Sequence, residues 1–158
     1  MAICSASGIA LELVLTRVLS VMYWQSLVYV VITIALLGFG ASGTVLAIAP
    51  ALQRGNLRTL QARLIILYVL SSVLSIYAVS LIEIDAVTFA SSFSTGLKLT
   101  FILLLLTVPF VCLGLSINLM LVRLNSQINL LYCCNLAGSG VGALLFLLLA
   151  SDFLLKYR

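Results

Sequence analysis

Histidine is absent from this chain of 158 residues, and charge is nearly so: four acidic and eight basic side chains make up 8% of the total. Without histidine, Ser–His and Cys–His nucleophilic systems are excluded, and a zinc or haem centre of the usual kind is not expected. A soluble globular domain carries about 25% charged residues. With 64% hydrophobic residues and a mean hydropathy of +1.33, a soluble fold of this length would leave far too much apolar surface in water. A Gly-rich turn between a strand and a helix, which would cradle a nucleotide or S-adenosylmethionine, is also lacking. So is a basic patch interleaved with stacking aromatics, so no nucleic-acid partner is assigned. The N-terminus has no positive segment ahead of its apolar run, and Glu12 interrupts that run, which argues against a secretory signal.

What remains is five long apolar runs. They predict an all-α membrane protein, a bundle of about five transmembrane helices over residues 2–22, 26–48, 64–82, 99–122 and 130–150. Each is close to the ~20 residues that cross a ~30 Å hydrocarbon core. Helices are favoured because every backbone polar group must find its partner inside the segment. The connections are short. Tyr23, Trp24 and Gln25 link the first two spans, and residues 50–63 form a polar loop with Arg54, Arg58 and Arg63 and no acid. The loop arginines read as topology determinants that also touch anionic lipid. The positive-inside rule places that loop, and with it the N-terminus, in the cytoplasm of a cell-membrane protein. Glu83 and Asp85 then lie outside and Arg123 inside. Five spans put Lys156 and Arg158 outside, against the rule, and a sixth helix returning inward would remove the conflict. The alternative architecture is thus an incomplete six-helix unit, like half of a major-facilitator transporter.

The first span is energetically marginal. Its Leu, Ile and Val residues between Ile3 and Val21 contribute roughly −3 to −5 kcal/mol on an insertion scale. Glu12 and Arg17 near its centre cost about 2.5–3.5 kcal/mol each. They lie five residues apart, about 140° around a helix, and so do not share a face, whereas Glu12 and Thr16 do. Two readings stay open. Either Glu12, Thr16 and Arg17 join a buried polar network, with Asn118, Arg123 and Asn135 as partners on other helices, or Glu12 and Arg17 line a proton or solute pathway.

Two glycine clusters follow. Gly38, Gly40 and Gly43 sit in the second span; Gly138, Gly140 and Gly142 sit in the fifth, where Gly138 and Gly142 make a GxxxG. Small residues at this spacing let helix backbones approach closely. Pro109, with Gly114 after it, predicts a kink or local unwinding of the fourth span. Cys4, Cys112, Cys133 and Cys134 lie in apolar runs without a CxxC and read as packing residues with no disulfide or metal role.

The stretch GIALELVLTRVLS, followed by ALLGFGASG, resembles the N-terminal multi-pass membrane domain of spermidine synthase-like proteins. Glu12, Thr16 and Arg17, then Gly38, Gly40 and Gly43, carry the likeness. The segment YCCNLAGSGVG is similar to a Tyr-x-x-Asp-Leu-x-Gly-Ala-x-x-Gly element, fitted by Tyr132, Leu136, Gly138 and Gly142, with Asn135 in place of the acid. The resemblance implies a membrane domain that anchors or regulates a soluble spermidine synthase-like domain of methyltransferase fold. No part of that domain is present, so its transferase chemistry maps to no residue here. The expectation is a non-catalytic domain without a cofactor. Its partners would be the bilayer and either a soluble spermidine synthase-like domain or further copies of itself. The alternative is a small transporter-like bundle.

Overall fold

The computed structural model of the chain describes residues 1–22, 26–49, 52, 55–81 and 93–156. The described residues are all-helical. Five helices are long and apolar enough to cross a membrane: α1 (Ala2–Met22), α2 (Ser26–Ile48), α3 (Leu57–Leu81), α4 (Phe93–Arg123) and α5 (Ile128–Lys156), with a 3₁₀ turn at Asn125–Gln127 before α5.

α3 starts seven residues ahead of the expected span, so the 50–63 stretch is not loop throughout and Arg58 and Arg63 are helical. The cause is local. Asn56 caps the helix, its Oδ1 accepting the Arg58 N–H at 3.2 Å, and its carbonyl accepts the Leu60 N–H at 3.0 Å. The residues that follow, Leu-Arg-Thr-Leu-Gln-Ala-Arg, are mostly good helix formers. Pro50 and Arg54 lie outside the described residues. α4 and α5 likewise extend beyond their expected spans, to 31 and 29 residues.

α4 is the centre of the bundle. It packs on α2 and α3 and touches α1, while α5 packs on α1. Burial follows that order: 44% of the apolar stretch of α4 is buried and 11% of that of α5. Helix directions can be taken from facing residues. Gly38 lies against Phe110, and Gly114 lies against Ser42, so α2 and α4 run parallel. Gln61 meets Ser116 and Ser75 meets Leu105, so α3 and α4 are antiparallel. Gly138 abuts Ala2 and Gly142 abuts Ala6, a four-residue step on both helices that makes α1 and α5 parallel.

The expected packing glycines separate by surroundings. A methyl at Gly38 would overlap Phe110, and one at Gly138 or Gly142 would overlap the α1 backbone. A methyl at Gly43 would make only ordinary contact with the Asn118 amide, at 3.9 Å, while Gly40 and Gly140 face open space. Gly8 and Gly114, not singled out as packing residues from the sequence, are as tight, against Leu113 and Ser42 respectively. The apolar core lies between α1, α2, α3 and α4 and holds Leu11, Leu15, Leu19, Val31, Ile34, Ala35, Val79, Ile102, Leu106 and Phe110. Phe39 packs beside Phe110 with ring centroids 6.3 Å apart and planes tilted by 57°.

Pro109 does not unwind α4, which is helical from Phe93 to Arg123. A proline has no N–H, so the carbonyl four residues before it loses its helical donor. That carbonyl belongs to Leu105, and the Ser75 hydroxyl of α3 donates to it at 3.2 Å. Pro109 and Ser75 are both buried, so the bond is made where no water competes. Ser75→Ala is expected to lower stability by about 1–3 kcal/mol, the cost of a buried unsatisfied carbonyl. Adding Pro109→Ala should restore much of the loss by supplying the missing N–H. Thermal unfolding in detergent reads both, and a Ser75→Ala defect of the same size in the Pro109→Ala background would refute the pairing.

Candidate functional site

Polar side chains inside the bundle form short bridges between helices. Between α3 and α4 the bridge is reciprocal: Gln61 Nε2 donates to the Ser116 carbonyl at 2.8 Å, and Ser116 Oγ donates to Gln61 Oε1 at 2.6 Å. Gln61 is 8% and Ser116 1% exposed, which makes this the most enclosed polar pair described. Between α2 and α4, Asn118 Nδ2 donates to Ser42 Oγ at 2.8 Å, and Ser42 Oγ in turn donates to the Phe39 carbonyl at 2.6 Å. Between α1 and α5, the Ser5 hydroxyl donates to Asn135 Oδ1. Tyr68 of α3 donates to the Ser7 carbonyl of α1 at 3.1 Å. Arg123, at the end of α4, donates from Nη2 to the Gly55 carbonyl ahead of α3.

These bridges lie toward the end of the bundle that bears Arg58, Arg63 and Arg123. The Leu11–Leu19 side of α1 and its partners fill the other half with hydrocarbon. The residue types explain the arrangement. Serine, asparagine and glutamine are short enough to stay between helices, and in an apolar medium each must close on a neighbour.

Glu12, Thr16, Arg17, Asn118, Arg123 and Asn135 do not form one network. Asn118, Arg123 and Asn135 belong to three separate bridges, to α2, to Gly55 and to α1. Glu12 and Thr16 are half-buried and Arg17 is exposed. Among the described residues neither the Glu12 carboxyl nor the Arg17 guanidinium has a hydrogen-bond or ion-pair partner. Gly8 sits against Leu113 of α4, and one further turn of α1, about 6 Å, brings Glu12 level with Pro109. Sequence reasoning missed Ser5, Ser42, Gln61, Ser75 and Ser116. The usable signal was a polar residue recurring within an apolar run, with Gln61 hidden because its segment reads as loop.

No group of three or more His, Cys, Asp or Glu side chains able to hold a metal occurs among the described residues. All four cysteines are free, Cys112 buried and Cys133 exposed. A comparison with known protein families, curated proteins and solved structures finds no match to this chain.

Two outcomes follow from this geometry. Gln61→Leu and Ser116→Ala should be strongly coupled in stability, by about 0.6–1.7 kcal/mol, because either change alone leaves a buried polar group unpaired. A double-mutant cycle with additive losses would rule out the bridge. Glu12→Gln and Arg17→Gln should behave in the opposite way, with additive effects on folded yield. Recovery of yield in the Glu12→Gln/Arg17→Gln double variant would mean that the two charges are paired after all.

Proposed function

We propose that this chain is a non-catalytic integral membrane domain that anchors or regulates a soluble partner domain of the spermidine synthase-like, methyltransferase-fold kind. The observation that carries the reading is the fate of the buried polar side chains. Among the described residues, those of Ser5, Ser42, Gln61, Ser75 and Ser116, with half-buried Asn118, are engaged in holding helices together, and Ser71 alone bonds only within its own helix, which is the work of a scaffold. The GxxxG of α5 fits the same role, with Gly138 and Gly142 as the surface on which α1 rests. The likeness of the Glu12–Arg17 segment and of the two glycine clusters to spermidine synthase-like membrane domains supplies the kind of partner. The end bearing Arg58, Arg63 and Arg123 faces the cytoplasm by the positive-inside rule, and the N-terminus lies on that side.

A second reading has one observation in its favour. Glu12 sits half-buried at mid-bundle with no partner among the described residues, beside the proline-bearing helix, and an intramembrane carboxyl marks a proton or solute path in many carriers. One pair of experiments separates the two. Purified chain in sealed vesicles is assayed for proton and small-cation flux, with Glu12→Gln alongside. Membranes containing the chain are then tested for retention of a spermidine synthase-like domain expressed with it in the same cells. The scaffold reading expects no flux above protein-free vesicles and retention of the domain. Flux abolished by Glu12→Gln, with no domain retained, would replace it with the transporter reading.

A further inference from the structure

One end of the bundle carries charge of a single sign. Arg58 and Arg63 are exposed on the first two turns of α3, and Arg123 ends α4 at the same end, against Gly55. The four acids of the chain lie elsewhere in sequence: Glu12 within α1, Glu83 and Asp85 after the far end of α3, and Asp152 in the last turns of α5.

Arg123 is the most informative of the three. Its Nη2 donates to the Gly55 carbonyl, which stations the guanidinium at the start of α3. Among the described residues its buried Nε–H has no hydrogen-bond partner. A buried charged donor left unbonded is costly, and an anionic oxygen is the acceptor that offsets the cost best. The surroundings favour the same ligand. α3 begins at Leu57, just past Gly55, and its first N–H groups present the positive end of a 25-residue helix. Arg58 adds an exposed cation on that turn. The level within the membrane selects the source of the anion, because Arg123 closes the membrane-length stretch Gly96–Arg123, where the hydrocarbon gives way to headgroups.

We propose that Arg123, Arg58 and the first turn of α3 bind the phosphate headgroup of an anionic phospholipid. The guanidinium of Arg123 takes the phosphate as its fixed ligand and Arg58 closes over it, while Arg63 adds to the attracting field. The site is independent of what the bundle anchors or carries.

The test is thermal unfolding of the full chain in neutral detergent micelles, titrated with phosphatidylglycerol, phosphatidylcholine or inorganic phosphate. Phosphatidylglycerol should raise the unfolding temperature, and the other two should not. The phosphatidylglycerol concentration at half-effect should rise about fivefold in Arg58→Gln and in Arg123→Gln, the scale of one surface arginine on an anionic membrane. It should stay at the parent value in Lys98→Gln, at the opposite end. Should Arg123→Gln fail to fold, Arg58→Gln gives the answer alone. An equal shift with phosphatidylcholine, reproduction of the shift by inorganic phosphate, or arginine variants that keep the parent's half-effect would each overturn the assignment.

Discussion

Hydrocarbon offers no hydrogen bonds, and much of this bundle follows from that fact. Each backbone donor and acceptor that a helix does not satisfy by itself must be met by a side chain from a neighbour. Pro109 is the sharpest case. It removes one donor from the centre of α4, and the carbonyl it strands is met by Ser75 from α3. The same constraint governs side chains. Gln61 and Ser116 exchange two bonds because neither could be buried alone. Ser42 accepts from Asn118 and donates onward to its own helix, so its hydroxyl is used in both senses. α4 therefore becomes the hub by obligation: it has the proline, the reciprocal serine and the asparagine, and α2 and α3 close on it.

Glycine works with these bonds by setting the distance at which they form. Gly38 and Gly114 remove the side chains that would hold α2 and α4 apart, and Ser42, packed directly against Gly114, is then within reach of Asn118. The α1–α5 pair repeats the logic, with Gly138 and Gly142 laid on the backbone of Ala2 and Ala6 near the Ser5–Asn135 bond. Toward the opposite end such devices thin out: Leu15, Leu106 and Phe110 fill the interior, with Gly38 against Phe110 and the Ser75–Leu105 bond among them. The molecule is thus more densely polar-bridged toward its basic end and mostly hydrocarbon-filled toward the other, with Glu12 near the boundary.

The class of fold was legible in the sequence because it depends on the simplest signal, the length of apolar runs. Helix ends were less so. Leu57–Arg63 reads as loop when charge alone is weighed, yet Asn56 supplies a cap and the segment has the propensity to continue α3 outward. The individual glycines were not separable by spacing. Gly138 and Gly140 are two residues apart in the same motif, but one meets a backbone and the other meets nothing, a difference set by the partner helix and invisible in one chain's order of residues. The polar bridges were missed for the opposite reason. Serine is common, and nothing in the sequence marks Ser42 or Ser75 as different from Ser72 or Ser80, which bond only within their own helix. Charge drew attention to Glu12 and Arg17, and the structure puts the bonds elsewhere.

The parallel pairing of α1 with α5 also bears on how the protein is made. Ala2 is made ahead of Gly138, which is added 136 residues later, a wait of roughly 7–27 s at 5–20 residues per second. Through that interval α1, with its two charges, enters or lingers at the membrane without the helix on which it will finally lie. α2, α3 and α4 are able to assemble around α4 in the meantime. The α1–α5 contact therefore joins the earliest-made of these five helices to the latest-made, so full packing of α1 reports that synthesis has reached α5.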